Sequence, residues 1–91
     1  MKHSVYFDGK VQSLGVNTTT AFATVGVIEP GAYTFSTSSE ERIVLIEESL
    51  RVRLPDEDWK VFSRGQEMAV RPKVSFDIQA QSDVAYICHY R

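Results

Sequence analysis

The feature that most constrains the fold is an alternation of apolar and polar residues that runs along the whole chain. Runs rich in Val, Ile, Tyr, Phe and Thr recur roughly every 8–12 residues, and turn dipeptides such as Asp8-Gly9 and Pro30-Gly31 separate them. The segment SEERIVLIEESLR contains helix-forming residues, but its apolar run IVLI lacks helical spacing. The pattern therefore predicts an all-β fold of roughly eight to ten short strands.

The predicted strands leave two architectures open, a sandwich of two sheets or a small barrel. In AYTFST, the alternation places Tyr33, Phe35 and Thr37 on one face of the strand. A small barrel holds either a filled interior or one small ligand. The predicted strands are KVQSLGV, FATVGVIE, AYTFST, RIVLIEE, SLRVRL, WKVF, Gln66–Val70, VSFDIQAQ and VAYICHY.

Composition limits the classes of function. The chain has 91 residues, which predicts one domain over residues 1–91. A net charge of −2 argues against a nucleic-acid polymer or an anionic membrane as partner. The single cysteine, Cys88, excludes an intrachain disulfide, and with an N-terminus that lacks an apolar signal core it predicts a cytoplasmic protein. So short a chain has a modest core, and we expect a homodimer.

The segment from Gly31 to Glu48 resembles the first sequence motif of cupins, which are double-stranded β-barrels of the jelly-roll type. That motif has a Gly, two His, a Glu and a second Gly. Here Gly31 takes the first Gly place, and Phe35 and Thr37 fall on the two His places. Glu41 takes the Glu place, and Glu48 stands where the second Gly is expected.

A second resemblance to cupins follows Gly65. Arg71 stands in the Pro place of that motif with Pro72 beside it, and Phe76 falls on the His place. Three of the four metal-ligand places are therefore Phe, Thr and Phe, and a lone Glu does not hold a divalent metal. The resemblance implies a cupin-like barrel, and the residues predict that it has no metal and no cofactor.

A closer resemblance covers about residues 6–90. Four separated blocks are similar to the small single-domain pyrimidine/purine nucleoside phosphorylases, a family with the cupin fold. This resemblance implies metal-independent, reversible phosphorolysis of purine and pyrimidine nucleosides by inorganic phosphate, which gives a free base and ribose 1-phosphate. The four blocks are YFDGKVQSLG, VGVIEPGAYTFST, LPDEDW and AYICHY.

The polar turn after AYTFST and the nearby aromatic residues are the candidate site. Serine and threonine hydroxyls suit a phosphate, and aromatic faces stack on any base. Glu41 is placed to accept from ribose hydroxyls or to stabilise positive charge near C1′, and Arg71 or Lys73 offers a cation. We predict Glu41 and Thr37 as catalytic, and we predict substrate binding by Tyr33, Phe35, Ser36, Ser38, Ser39, Arg71 and Phe76.

Other interpretations remain open at this stage. The barrel is alternatively a non-enzymatic binder of a sugar or nucleoside, or an interaction module without a ligand; a metal-dependent cupin enzyme ranks last. Phe35 and Phe76 are equally explained as core residues. Cys88 is expected to be a buried apolar residue, His89 to lie on the surface or at a dimer interface, and His3 to lie at a frayed terminus. The sequence does not indicate which residue protonates the leaving base.

Overall fold

The computed structural model describes residues 1–90, which form ten β-strands and one short 3₁₀ turn. This confirms the predicted all-β fold, although the first strand precedes the first one expected from the sequence. The elements are β1 His3–Tyr6, the 3₁₀ turn Phe7–Gly9, β2 Val11–Asn17, β3 Phe22–Ile28, β4 Gly31–Ser36, β5 Glu41–Glu47, β6 Leu50–Arg53, β7 Lys60–Phe62, β8 Glu67–Val70, β9 Ser75–Ala80 and β10 Val84–Tyr90.

The strands form two antiparallel sheets with a shared core. The larger sheet has six strands in the order β1-β2-β3-β10-β5-β8, and the smaller has four in the order β4-β9-β6-β7. Leu45 from the larger sheet and Val52 and Ile78 from the smaller are among the most completely buried side chains. Their burial follows from the predicted alternation, because every second side chain of a strand points to the same face.

The polypeptide at Glu48 adopts a left-handed conformation, with φ of 68°. This is the position at which the cupin motif has Gly, the residue that takes such a conformation without steric cost. The non-glycine residue costs roughly 1–2 kcal/mol there. The Glu48 carboxylate accepts a 3.3 Å hydrogen bond from the Ser82 hydroxyl. The turn therefore keeps the backbone conformation that the motif requires while changing the residue.

The N-terminus is more ordered than the sequence predicted. His3 begins β1 and pairs with Leu14 of β2, and its Nε2 lies 2.9 Å from Oε1 of Gln12. The expectation of a frayed segment at His3 was wrong, because a sequence reading of so short a strand cannot reveal its partner. Among residues 1–90, the structure contains no helix long and apolar enough to cross a membrane.

Candidate functional site

A cavity lies between the inward faces of the two sheets. Its volume is about 140 Å³. That volume is smaller than the roughly 300–1,000 Å³ of most small-molecule sites. The lining is largely apolar, and its polar groups are hydroxyls, one thiol and one carboxyl group. The lining residues are Tyr6, Ser13, Ile28, Phe35, Ser36, Glu41, Ile43, Leu45, Leu50, Met68, Phe76, Ile78, Tyr86, Cys88 and Tyr90.

One wall of the cavity contains a row of residues in register across three strands of the larger sheet. Ser13 of β2 pairs with Gly26 of β3, which pairs with Tyr86 of β10. A Cβ atom at Gly26 would lie 2.5 Å from both Cζ and the hydroxyl oxygen of Tyr86. The absence of a side chain at Gly26 therefore lets the Tyr86 ring lie across β3. Burial raises the pKa of Tyr86 to about 12, so its hydroxyl is neutral at physiological pH.

A second group of polar residues on this wall centres on Glu41. Glu41 pairs with Tyr90 across the β5–β10 ladder, and the Tyr90 hydroxyl lies 3.1 Å from the Thr24 hydroxyl. The Cys88 thiol donates to Oε1 of Glu41 at 3.5 Å. Burial, and next the neighbouring Glu41 carboxylate, raise the pKa of Cys88 to about 12. The thiol is therefore a neutral hydrogen-bond donor at physiological pH, and its thiolate is not available as a nucleophile.

Among residues 1–90, Glu41 is the only Asp, Glu, Lys, Arg or His in the cavity lining. Its side chain is half-buried, and burial raises its pKa above the ordinary value of a glutamate. The hydrogen bond from Cys88 acts in the opposite direction and is the smaller influence. No Lys or Arg lines the cavity in the described part of the chain.

The facing wall is aromatic. Phe35 of β4 pairs with Phe76 of β9, and their rings stack with centroids 5.9 Å apart and planes 27° apart. Phe7, from the 3₁₀ turn, meets Phe35 edge-on at 5.4 Å and Tyr33 at 5.0 Å. Phe76 is buried, and Phe35 is half-buried and lines the cavity. The two phenylalanines thus serve both the core and the cavity.

Four of the predicted site residues line the cavity together: Phe35, Ser36, Glu41 and Phe76. Ser36 is exposed, and its hydroxyl lies 3.0 Å from the hydroxyl of Ser75. The sequence prediction therefore located an aromatic wall and a carboxyl group that do belong to one cavity.

The other predicted residues lie outside the lining. The Tyr33 hydroxyl donates to the Glu29 carbonyl at 2.8 Å. The Thr37 hydroxyl donates to the Arg71 carbonyl at 2.7 Å and accepts from the Val74 amide at 3.1 Å, so it joins two loops. Those loops carry the remaining predicted residues. They are Ser38, Ser39 and Arg71.

The sequence reading missed five polar residues of the lining, which are Tyr6, Ser13, Tyr86, Cys88 and Tyr90. The alternation in AYICHY predicted that Tyr86, Cys88 and Tyr90 share one face of a strand, but it did not indicate that this face lines the cavity. Cys88 is buried, as expected. His89 lies between Cys88 and Tyr90 and, by the alternation of the strand, points to the opposite face.

The cupin metal-ligand places do not form a metal site here. Within residues 1–90, no group of three or more His, Cys, Asp or Glu side chains lies close enough to hold a metal ion. Phe35 and Phe76, which fall on two of the ligand places, stack on each other. An aromatic contact therefore occupies space that the motif assigns to imidazoles.

Comparison with solved structures identifies the class of fold. The chain superposes on a cupin of the RmlC-like type from Shewanella frigidimarina with a TM-score of 0.75, over 99% of this chain and 93% of that one, at 16% identity. It superposes more closely on a protein of unknown function from Vibrio parahaemolyticus, with a TM-score of 0.95 at 38% identity and coverage of 99% and 97%. The predicted cupin fold is confirmed.

Comparison of sequences then identifies the family. A sequence model described as pyrimidine/purine nucleoside phosphorylase matches residues 1–90. A pyrimidine/purine nucleoside phosphorylase from Vibrio cholerae is 41% identical over 91 residues, which are 99% of this chain and 96% of the relative. One from Magnetococcus marinus is 40% identical over 99% of this chain and 98% of the relative. The chain belongs to the pyrimidine/purine nucleoside phosphorylase family.

Proposed function

We propose that the protein is a metal-independent nucleoside phosphorylase that converts purine and pyrimidine nucleosides and inorganic phosphate, reversibly, to free base and ribose 1-phosphate. The observation that carries the proposal is the cavity of a family member in which an aromatic wall faces a wall of hydroxyls and one carboxyl group. Within residues 1–90, no group of three or more metal-ligating side chains is present, and in this proposal the cavity's own side chains bind and orient both substrates.

The two walls suit the two ends of a nucleoside. Phosphorolysis passes through a sugar with oxocarbenium character, and phosphate is itself the nucleophile, so the protein need not supply one. Its task is to hold phosphate, sugar and base in line and to exclude water. Phe35 and Phe76 offer ring faces that accept any base, and the Tyr86 and Tyr90 hydroxyls offer neutral hydrogen bonds to the sugar and phosphate. Glu41 lies beside these hydroxyls as the catalytic group.

The loop between Ser36 and Glu41 and the adjacent loop between Val70 and Ser75 remain the proposed phosphate shelf. Ser38, Ser39 and Arg71 belong to these loops, and Thr37 joins them through its hydroxyl. We keep as predictions that Arg71 provides a cation at the mouth and that Thr37 and Tyr33 contact the substrate directly. In the structure, the hydroxyls of Thr37 and Tyr33 donate hydrogen bonds to backbone carbonyls.

Base release tests the proposal and the aromatic wall together. Uridine and inosine are incubated with the protein in phosphate and in sulfate, and free base is measured by chromatography; release in phosphate alone is expected. Phe35→Ala is then compared with Phe62→Ala, a core-packed phenylalanine outside the cavity. We expect KM for the nucleoside to rise about tenfold or more in Phe35→Ala alone, since stacking contributes roughly 1–3 kcal/mol per base. Equal release of base in sulfate contradicts phosphorolysis. Equal KM values in Phe35→Ala and Phe62→Ala contradict a role of the aromatic wall in nucleoside binding.

The outer face of the larger sheet supports the proposed homodimer. Leu14, Val25, Ile87 and Val44 lie in register across four strands and form an apolar row on that face. Leu14 and Val25 are exposed in the monomer, at 46% and 37%. Light scattering is expected to give a dimer mass for the protein and a monomer mass for Val25→Glu. Val61→Glu, on the other sheet, is the control and stays dimeric; a monomeric unaltered protein contradicts the proposal.

A further inference from the structure

We infer that Glu41 is the acid of the reaction: it holds a proton in the resting cavity and delivers it to the base as the glycosidic bond breaks. The inference rests on the proposed phosphorolysis and assigns the step that the sequence left open. It also chooses between two opposite states of Glu41, because a group that stabilises positive charge at C1′ must be ionised, whereas an acid must be protonated.

Among residues 1–90, four other titratable side chains line the cavity around Glu41. From β10, the titratable groups that face it are Cys88, Tyr86 and Tyr90, and from β1 it is Tyr6. Burial raises the pKa of Cys88 and of Tyr86 to about 12. Burial also raises the pKa of Tyr90 above its ordinary value.

The other described neighbours of Glu41 on β5, on β8 and in the cavity lining are uncharged or make contacts elsewhere. Its partner on β8 is Val70, and the cavity groups on the smaller sheet are aromatic or aliphatic apart from the Ser36 hydroxyl. Arg42, the next residue along β5, turns to Glu40 and Glu67 with N–O distances of 3.3 and 3.2 Å. Neither histidine lines the cavity in the described residues.

The charge of the substrate favours the protonated state. Among residues 1–90, the lining itself includes no Lys or Arg, and Arg71 is proposed only at the mouth, so an ionised Glu41 inside the cavity would repel a phosphate anion. Protonation of Glu41 removes that repulsion. Burial of Glu41 acts in the same direction, because it raises the pKa of this carboxyl group.

In the proposed step, the proton moves from Glu41 to the leaving base as the glycosidic bond breaks. A phosphate oxygen of H₂PO₄⁻ forms the new bond to C1′, and the bond from C1′ to the base nitrogen breaks with its electron pair going to the base. The Glu41 carboxyl proton neutralises the base. Glu41 is left as a carboxylate and regains a proton from the acidic hydroxyl of the bound phosphate or from water. General acids of this kind contribute roughly 10²–10⁴-fold in rate.

A substrate that needs no acid separates this role from a structural one. The base of nicotinamide riboside is a cationic pyridinium that leaves as a neutral molecule without gaining a proton. We expect Glu41→Gln to lower kcat with inosine by about 10²–10⁴-fold, and with nicotinamide riboside by less than about tenfold. Glu47→Gln, which alters an exposed glutamate at the other end of the same strand and outside the cavity, is the matched control and leaves both rates unchanged.

The pH profile provides a second readout that does not depend on the variant folding. With saturating phosphate between pH 5 and 8, kcat of the unaltered protein with inosine is expected to fall more steeply as pH rises than kcat with nicotinamide riboside. The ionisation of H₂PO₄⁻ affects both substrates, whereas the loss of the Glu41 proton affects inosine alone. The same difference persists in Glu47→Gln. Equal losses on both substrates in Glu41→Gln, or the same pH dependence of kcat for both substrates in the unaltered protein, overturn the inference while leaving phosphorolysis intact. An unaltered protein that releases no base overturns both.

Discussion

A side chain at Gly26 tests whether the cavity wall is built as described. Gly26→Ala places a Cβ atom 2.5 Å from Cζ and from the hydroxyl oxygen of Tyr86, and 2.7 Å from Cε1. Carbon atoms pack at about 3.5–4.0 Å, so the overlap is about 1 Å along the edge of a ring. The ring must move, and it is anchored on the strand directly paired with Gly26.

The size of the effect follows from that overlap. Overpacking a well-filled site costs about 1–3 kcal/mol. Ala is a better strand residue than Gly by roughly 0.5–1 kcal/mol, which offsets part of the cost. We therefore expect Gly26→Ala to lower the free energy of unfolding by about 1–2 kcal/mol, a shift of the urea midpoint of roughly 1 M for an m-value near 1.5 kcal/mol/M.

A double-mutant cycle with Tyr86→Leu isolates the contact. Removing the ring relieves the overlap, so Gly26→Ala should cost little in the Tyr86→Leu background, with a coupling of about 1–2 kcal/mol within the range of contacting pairs. Urea unfolding followed by Trp59 fluorescence measures all four proteins. If the Gly26→Ala protein is as stable as the unaltered one, or if the two substitutions change the free energy of unfolding additively, then the space left by Gly26 does not accommodate the Tyr86 ring as argued.

Three further predictions concern single side chains. Glu48→Gly relieves a left-handed φ of 68° and should raise stability by about 0.5–1 kcal/mol in urea unfolding; an unchanged midpoint contradicts the strain. Cys88→Ala removes the hydrogen bond that lowers the pKa of Glu41, so the falling limb of kcat should move to higher pH, and a shift to lower pH contradicts the contact. The Arg53 hydrogen bond holds the pKa of Asp77 below its ordinary value. Its stabilisation is therefore present above the unfolded pKa near 4 and is lost as pH falls through the folded value. Asp77→Asn should lose stability at neutral pH and show less acid dependence between pH 5 and 2, and an unchanged thermal midpoint at neutral pH contradicts it.

The strand pattern was predictable because alternation is a local property of the sequence. Tyr33 and Thr37 were correctly expected to share a face with Phe35, and both are buried. The sequence could not show that the hydroxyls of Tyr33 and Thr37 are used by backbone carbonyls, since those partners depend on how the loops meet. Serine and threonine near a turn have many such local partners, which makes their hydroxyls weak predictors of a binding site.

The polar wall was harder to predict because its residues come from strands far apart in the chain. Tyr90 and Thr24 are separated by 66 positions, and only the β3–β10–β5 pairing brings them near Glu41. Cys88 was correctly expected to be buried, but its contact with Glu41 spans 47 positions. Register across a sheet depends on long-range packing, and a single sequence carries no direct signal of it. Glu41 was identified through its place in the cupin motif, which shows how a family pattern locates a residue that periodicity cannot.

Phosphorus NMR of the purified protein with uridine, inorganic phosphate and EDTA tests the central claim most directly. Phosphorolysis without a metal predicts that the phosphate signal decreases while a phosphomonoester signal of ribose 1-phosphate grows in equal amount to the uracil released. Addition of excess uracil should then reverse the change. Uracil released without a phosphomonoester would show hydrolysis, and no change in the presence of EDTA with turnover in its absence would show dependence on a metal. Either result contradicts the account.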